Sequence, residues 1–297
     1  MARTPNLDFE RFVTEQKERQ AGAADGDAHA YAYVSDRATR ATFERVKPIE
    51  LAVAAGVRVF KHVGKAQLLG NAVKVGPRQF PRVHALATDC ARTLGIAVPT
   101  LYVVNNPRPN AATYGTNDDS FVLVHSALVD HFSDEELKTV LGHECGHIHN
   151  SHVVYLTVLH YLSHMAGLVV RSVSMPALLA LRAWSRRAEI TCDRAAALCT
   201  GDLELTVRTL TKLALGSQKL YDELNVDAFI EQYEEGRTTV GRFTEVLATH
   251  PWLPKRVVAL RYFGDSELFR QRAGLGEGGL SMSEVDEKVH GVIKVVG

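Results

Sequence analysis

The stretch Leu141-Gly142-His143-Glu144-Cys145-Gly146-His147-Ile148 constrains this chain more than any other. Around it Leu137, Val140, Leu141, Cys145 and Ile148 recur at helical spacing and form one apolar stripe. On a helix, residues four apart lie one above the other, so the rings of His143 and His147 face the same way. Each can offer a nitrogen to a single metal ion, and Glu144 stands beside them within reach of a water on that metal. The helix has a marked start: Ser133-Asp134-Glu135-Glu136 reads as a capping box, with Ser133 as N-cap and Glu136 at the third helical position. Stripe and metal face are adjacent, so the helix must be well buried.

A catalytic zinc needs a third protein ligand and one open position. His149 and His152 follow His147 too closely, or too far round, to share its face on a helix continued to about 152. A metzincin is excluded, because Asn150 and Val153 stand where that class needs Gly and His. A second Ala-rich helix, Arg186 to Ala197, is the better source: Glu189 and Asp193 are four apart on one face. Glu189 can bind the metal while Asp193 takes the spare N–H of a ligand histidine. The competing reading is a solvated helix with its carboxylates beside arginines.

The remaining composition is that of an ordinary soluble globular protein, 46% hydrophobic and 23% charged with a formal net charge of +0. Neutrality gives no electrostatic reason to expect nucleic acid as a partner. The N-terminus lacks an apolar signal segment. Cys90, Cys145, Cys192 and Cys199 have neither zinc-ribbon spacing nor disulfide-framework density. They read as reduced thiols in a cytoplasm. Cys145 points away from the histidine face, and Cys192, nearer the metal, reads first as a small buried hydrophobe.

Along the chain, residues 7–20 suggest a polar helix and 21–28 a flexible, linker-like segment, either a frayed terminus or an inhibitory propeptide. Ile49, Leu51, Val53 and Val57 to Phe60 follow a helical pattern. Leu68 to Val75 reads as a strand, and Val83 to Leu94 as a helix capped by Gly95. Thr100 to Val104 and Ser120 to Val124 are strongly β-prone. Leu203 to Leu220 and Val226 to Tyr233 read as helices packing on the core, and Ser281 to Val295 as a terminal helix or strand.

Four segments, in order, resemble the M48 family of gluzincin metallopeptidases, which includes the CAAX-prenyl protease and HtpX-like enzymes. Asn110-Ala111 with Gly115 resembles the family's N-A-x-x-x-G edge strand. Glu136-Leu137 through His143-Glu144 and Gly146-His147-Ile148 resembles its active-site helix. Glu189 with Asp193 resembles its E-x-x-x-D helix, and Thr249-His250-Pro251 with Arg256 its H-P-x-x-x-x-R segment. Cys145 stands where an apolar residue is commoner, and the stretch between the two metal helices is short.

The resemblance implies an α+β, mostly helical fold: a gluzincin-like core with a sheet of three or four strands and two zinc-binding helices. It implies one zinc ion per chain held by His143, His147 and Glu189, with Asp193 behind a ligand and Glu144 as proton shuttle for peptide hydrolysis. It puts His250 over the metal, to stabilise an oxyanion or to cap the resting site. Arg256 would anchor its loop, and Asn110, Ala111, Ala112, Thr113 and Tyr114 would offer a strand edge to an extended protein or peptide substrate. The alternative is a catalytically silent interaction protein on the same fold. The implied organisation is an N-terminal polar helix and flexible segment (1–40), a metallopeptidase domain (41–265) and a C-terminal tail (266–297).

Integral-membrane relatives carry two spans between the metal helices. Here residues 153–184 leave 32 positions, whereas two spans and a turn need roughly 40. A helical hairpin on the core is expected instead, in a cytoplasmic protein, with peripheral membrane contact as the alternative.

Overall fold

In this computed structural model, residues 28–43, 53, 57, 66, 69–116, 119–165, 168–235, 248 and 250–293 are described. The expected polar helix at 7–20 and most of the pattern from Ile49 to Phe60 lie outside them.

Short runs of β-branched and aromatic residues build a four-stranded mixed sheet: β1 (Ala72–Lys74), β2 (Thr100–Val104), β3 (Ala111–Gly115) and β4 (Ser120–His125). The order is β1-β2-β4-β3, with β2 and β4 parallel and the other pairs antiparallel. Phe121 to Val124 of the inner strand β4 are all buried, whereas β3 alternates and closes one edge. β1 is shorter than the expected Leu68 to Val75, because Gly70 and Asn71 form a turn.

Helix α1 (Val34–Phe43) precedes the sheet, and α2 (Pro81–Leu94) begins on proline and ends at Gly95 in the left-handed region (φ 68°). After α3 (Ser126–His131) comes α4 (Asp134–His149), which carries the histidine pair. Both halves of its capping box form: Ser133 Oγ accepts from Glu136 N–H (3.3 Å), and Glu136 Oε2 accepts from Ser133 N–H (2.8 Å). The helix stops at His149, earlier than expected. Asn150 caps it and Ser151 turns the chain at φ 57°.

Next come α5 (Val153–Met165) and α6 (Leu168–Thr200). The segment Arg186 to Ala197, read from the sequence as a helix of its own, is therefore the end of one long helix. Val154, Val158 and Leu159 of α5 bury against Ala177, Leu178, Leu181 and Trp184 of α6, which makes the expected hairpin. At 1.5 Å per residue α5 is about 20 Å long, short of the roughly 30 Å hydrocarbon layer. Among the described residues no helix is long and apolar enough to cross a membrane.

Glycine lets α4 and α6 approach closely. A Cβ on Gly142 would lie 2.9 Å from Cys199 Cβ, and one on Gly146 2.8 Å from Ala195 Cβ. Gly142 and Gly146 share a face, and small residues of α6 fill it.

The chain closes with α7 (Leu203–Leu215), α8 (Gln218–Asp222), α9 (Val226–Glu235), α10 (Leu253–Gly264), α11 (Glu267–Arg272) and α12 (Met282–Ile293). Gly216 splits the helix expected from Leu203 to Leu220. Phe269, Val285 and Val289 join the same core as Leu137, Leu141 and Cys145 of α4, so residues beyond 265 pack on the core that α4 also enters.

Candidate metal centre and peptide cleft

The facing sides of α4 and α6 set three groups against one another. His143 Nε2 lies 3.6 Å from Glu189 Oε2, and His147 Nε2 lies 3.6 Å from Glu189 Oε1. All three side chains are buried. Donors held 2.0–2.1 Å from one tetrahedral zinc stand about 3.4 Å apart, so each histidine–carboxylate spacing fits that ion. The Cys192 thiol, also on α6, joins the two histidines in a second grouping whose donor atoms lie within 4.8 Å of one another. Its Sγ sits 3.2 Å from His147 Nδ1, the ring nitrogen turned away from Glu189. Burial, with the nearby carboxylates of Glu189, Asp36 and Asp193, pushes the Cys192 thiol pKa well up, against the thiolate that binds metal.

Asp193, one turn along α6 from Glu189, puts Oδ1 3.0 Å from His143 Nδ1. Arg256 of α10 bridges both carboxylates: Nε and Nη2 donate to Asp193 (2.8 and 2.5 Å), and Nη1 lies 3.2 Å from Glu189 Oε2. His250 also reaches Glu189 Oε2, at 2.8 Å through Nδ1, with a side chain 62% exposed. Its segment is tied down by Arg186, which donates to the Ala248 carbonyl (3.0 Å).

These partners set the charges. Burial disfavours the Glu189 and Asp193 carboxylates. For Glu189, His250, Arg256 and His143 outweigh it and hold the pKa well below the usual range; Arg256 and His143 lower that of Asp193. Burial also pushes His143 down, but Asp193 and Glu189 leave it raised. His147 has no such carboxylate on its far nitrogen, and burial with the neighbouring His143 holds it well below its ordinary value.

Glu144 is buried between the metal face and the sheet edge. Thr113 Oγ1 of β3 donates to its Oε2 at 2.6 Å. Burial raises the Glu144 pKa above the ordinary carboxylate value, with His143 and Thr113 only partly offsetting it. A cavity of about 340 Å³ opens over these groups. Asn110 to Tyr114 line one wall, and Val140, Leu210 and Leu213, with Leu156 and Leu159, give it apolar flanks. Asn110 stands just before β3, and its carbonyl accepts from His125 N–H (2.9 Å), extending the ladder by one step.

The fold thus gathers every residue singled out in the sequence: His143, Glu144, His147, Glu189, Asp193, His250, Arg256 and the segment Asn110 to Tyr114 all border one cavity or touch a group that does. Sequence reasoning missed three partners. Thr113 was expected as part of a peptide-binding edge, yet its hydroxyl holds Glu144. His152 lies with Nδ1 3.2 Å from His147 Nδ1, and Asp36 of α1 lies behind it, Oδ2 3.0 Å from His152 Nε2. A helix continued to about 152 would carry His152 off the histidine face. The turn at Ser151 returns it, with its N–H donating to the His147 carbonyl (2.9 Å). Nothing in the local sequence marks Asp36.

Similarity to known proteins agrees with this arrangement. Residues 77–263 match the profile of peptidase family M48. Among curated proteins, the chain is 40% identical over 168 residues to the plastoglobule-localized metallopeptidase 48, chloroplastic, of Arabidopsis thaliana, covering 55% of this chain and 49% of that protein. It thus spans about half the length of that relative. It is 26% identical over 223 residues to a protease HtpX homolog of Moorella thermoacetica, covering 64% and 75% of the two chains. A protease HtpX homolog 1 of Streptomyces coelicolor is 29% identical over 214 residues, 60% and 69% of the two chains. No solved structure gives a significant match. With the profile covering well over half of its length, the chain belongs to peptidase family M48.

Proposed function

We propose that the chain is a zinc-dependent metalloendopeptidase, with His143, His147 and Glu189 holding one zinc ion and Glu144 acting as general base. One observation carries this reading: the Nε2 atoms of both α4 histidines stand 3.6 Å from the two oxygens of one buried carboxylate. When bound, zinc supplies a Lewis acid for the substrate carbonyl and for the attacking water. Thr113 occupies Glu144 Oε2, which leaves Oε1 to take a proton from that water and return it to the departing amine. The raised Glu144 pKa makes its carboxylate a stronger base toward that water. Arg256 and His250 keep Glu189 ionised for the metal, and Asp193 holds the proton on His143 Nδ1, leaving Nε2 with its lone pair.

The substrate is a protein or peptide in extended form. Residues Asn110 to Tyr114 border the cavity at a sheet edge, where a peptide backbone can add as a further strand. The apolar flanks of Leu156 and Leu159, and of Val140, Leu210 and Leu213, favour apolar side chains beside the cleaved bond. All four cysteines are buried free thiols, which suits a reducing compartment such as the cytoplasm.

The test is an unbiased digest of an unfolded protein mixture by wild type and by Glu144→Gln, with zinc measured in both. The variant should keep its zinc and its fold and lose cleavage. Cleavage by Glu144→Gln above about a hundredth of the wild-type rate would sink the general-base assignment.

A further inference from the structure

The proposed ligand His147 must present an unprotonated Nε2 to the metal, so its ring proton belongs on Nδ1. A buried Nδ1–H needs an acceptor. Two groups face it, Cys192 Sγ and His152 Nδ1, each at 3.2 Å. A thiol sulfur is a weak acceptor. His152 Nδ1 is a good one, provided that His152 carries its own proton on Nε2. That nitrogen lies beside a carboxylate: Asp36 Oδ2 is 3.0 Å away, a charge contact without the alignment of a hydrogen bond. The field of Asp36 favours an N–H at the nitrogen it faces, which frees Nδ1 to accept from His147.

Asp36 is itself held rigidly. Trp184 Nε1 donates to Oδ1 (2.8 Å) and Thr191 Oγ1 to Oδ2 (2.7 Å). Asp36, His152 and Thr191 are all at most 1% exposed, and Trp184 stacks edge-on against His152. An assembly of this kind costs desolvation, and a core of apolar side chains would avoid that cost. Asp36 also lies outside residues 77–263, the part of the chain that matches the family profile.

We propose that Asp36 and His152 are a positioning pair, in which the N-terminal segment fixes the ring orientation and tautomer of His147 for metal binding. The inference rests on the zinc reading above. The residues before the matched region thereby complete the metal centre.

The test is zinc affinity of the full chain, by competition with a chromophoric chelator, for wild type, Asp36→Asn, His152→Leu, His152→Gln and Glu189→Ala. Metal-free circular dichroism checks each fold. His152→Leu should bind zinc about 10–100-fold more weakly, as removing a partner behind a ligand does. His152→Gln keeps a side-chain acceptor and should recover most of the loss, which a merely structural role would not produce. Asp36→Asn is isosteric but keeps one acceptor oxygen in place of the two that serve Trp184 and Thr191, removes the charge that faces His152, and should bind about tenfold more weakly; it decides the matter alone if His152→Leu does not fold. Affinity within about threefold of wild type for Asp36→Asn, while Glu189→Ala has lost zinc, would overturn the pairing. So would equal losses in His152→Leu and His152→Gln. A wild-type chain that binds no zinc, or a Glu189→Ala variant that binds it normally, would overturn the zinc reading and this inference with it.

Discussion

His143 and His147 sit one turn apart on the same helix and turn the same nitrogen toward the same carboxylate, yet they are backed in different ways. Behind His143 is a carboxylate, Asp193, locked by Arg256. Behind His147 is a second imidazole, His152, with a carboxylate from a distant segment beyond it. The electrostatics divide accordingly, with the pKa of His143 raised and that of His147 held well below its ordinary value. The difference teaches that one helix pair can build only one of the two supports by periodicity. Asp193 follows Glu189 by one turn of α6, so the helix that supplies the proposed third ligand also supplies the support for the first. The ring of His147 points past that row, and its support comes from the turn after α4 and from α1.

Glu189→Ala should break both sides at once, because its two oxygens face both histidines. It should also leave His250 and Arg256 without an acceptor they share, and the purified variant should retain no zinc against dilute chelator. Full occupancy would mean that the third ligand is elsewhere. Asp193→Ala removes the partner of His143 Nδ1 and two acceptors of Arg256, and zinc should bind about 10–100-fold more weakly, toward the upper end. A smaller loss than in Asp36→Asn would invert the ranking of direct over relayed support.

Gly146→Val drives a side chain into Ala195 and Cys192 of α6 and should destabilise the fold by about 1–3 kcal/mol. A thermal midpoint within a degree of wild type would show that the helices part without cost. The smallest effect on metal is expected for His250→Phe. Its own side chain is largely exposed, and Arg256 stays on the same buried Glu189 oxygen when it is removed, so zinc affinity should change by a few-fold at most while cleavage falls further. A zinc loss as large as that of Asp193→Ala would make His250 part of the metal's support instead.

The front of the site was legible because its determinants are local. The capping box fixes the start of α4, the four-residue spacing fixes which side chains share a face, and the same spacing pairs Glu189 with Asp193. The sheet order was not legible, although the strand segments were, since the chain leaves β2 for the edge strand β3 and β4 then inserts between them. The back of the site was hidden for two reasons. One left-handed residue, Ser151, ends the helical register and returns His152 to a place that periodicity denies it. Asp36 looks like any acidic residue in the first turn of a short helix, and only the packing of α1 on α6 buries it.

Zinc-edge X-ray absorption on the loaded wild-type chain tests the central claim most directly, because two donor groupings compete for the metal. Ligation by His143, His147 and Glu189 predicts only nitrogen and oxygen neighbours at about 2.0–2.1 Å. A sulfur neighbour at about 2.3 Å that disappears in Cys192→Ala would contradict it, and would move the third ligand from the carboxylate to the thiol.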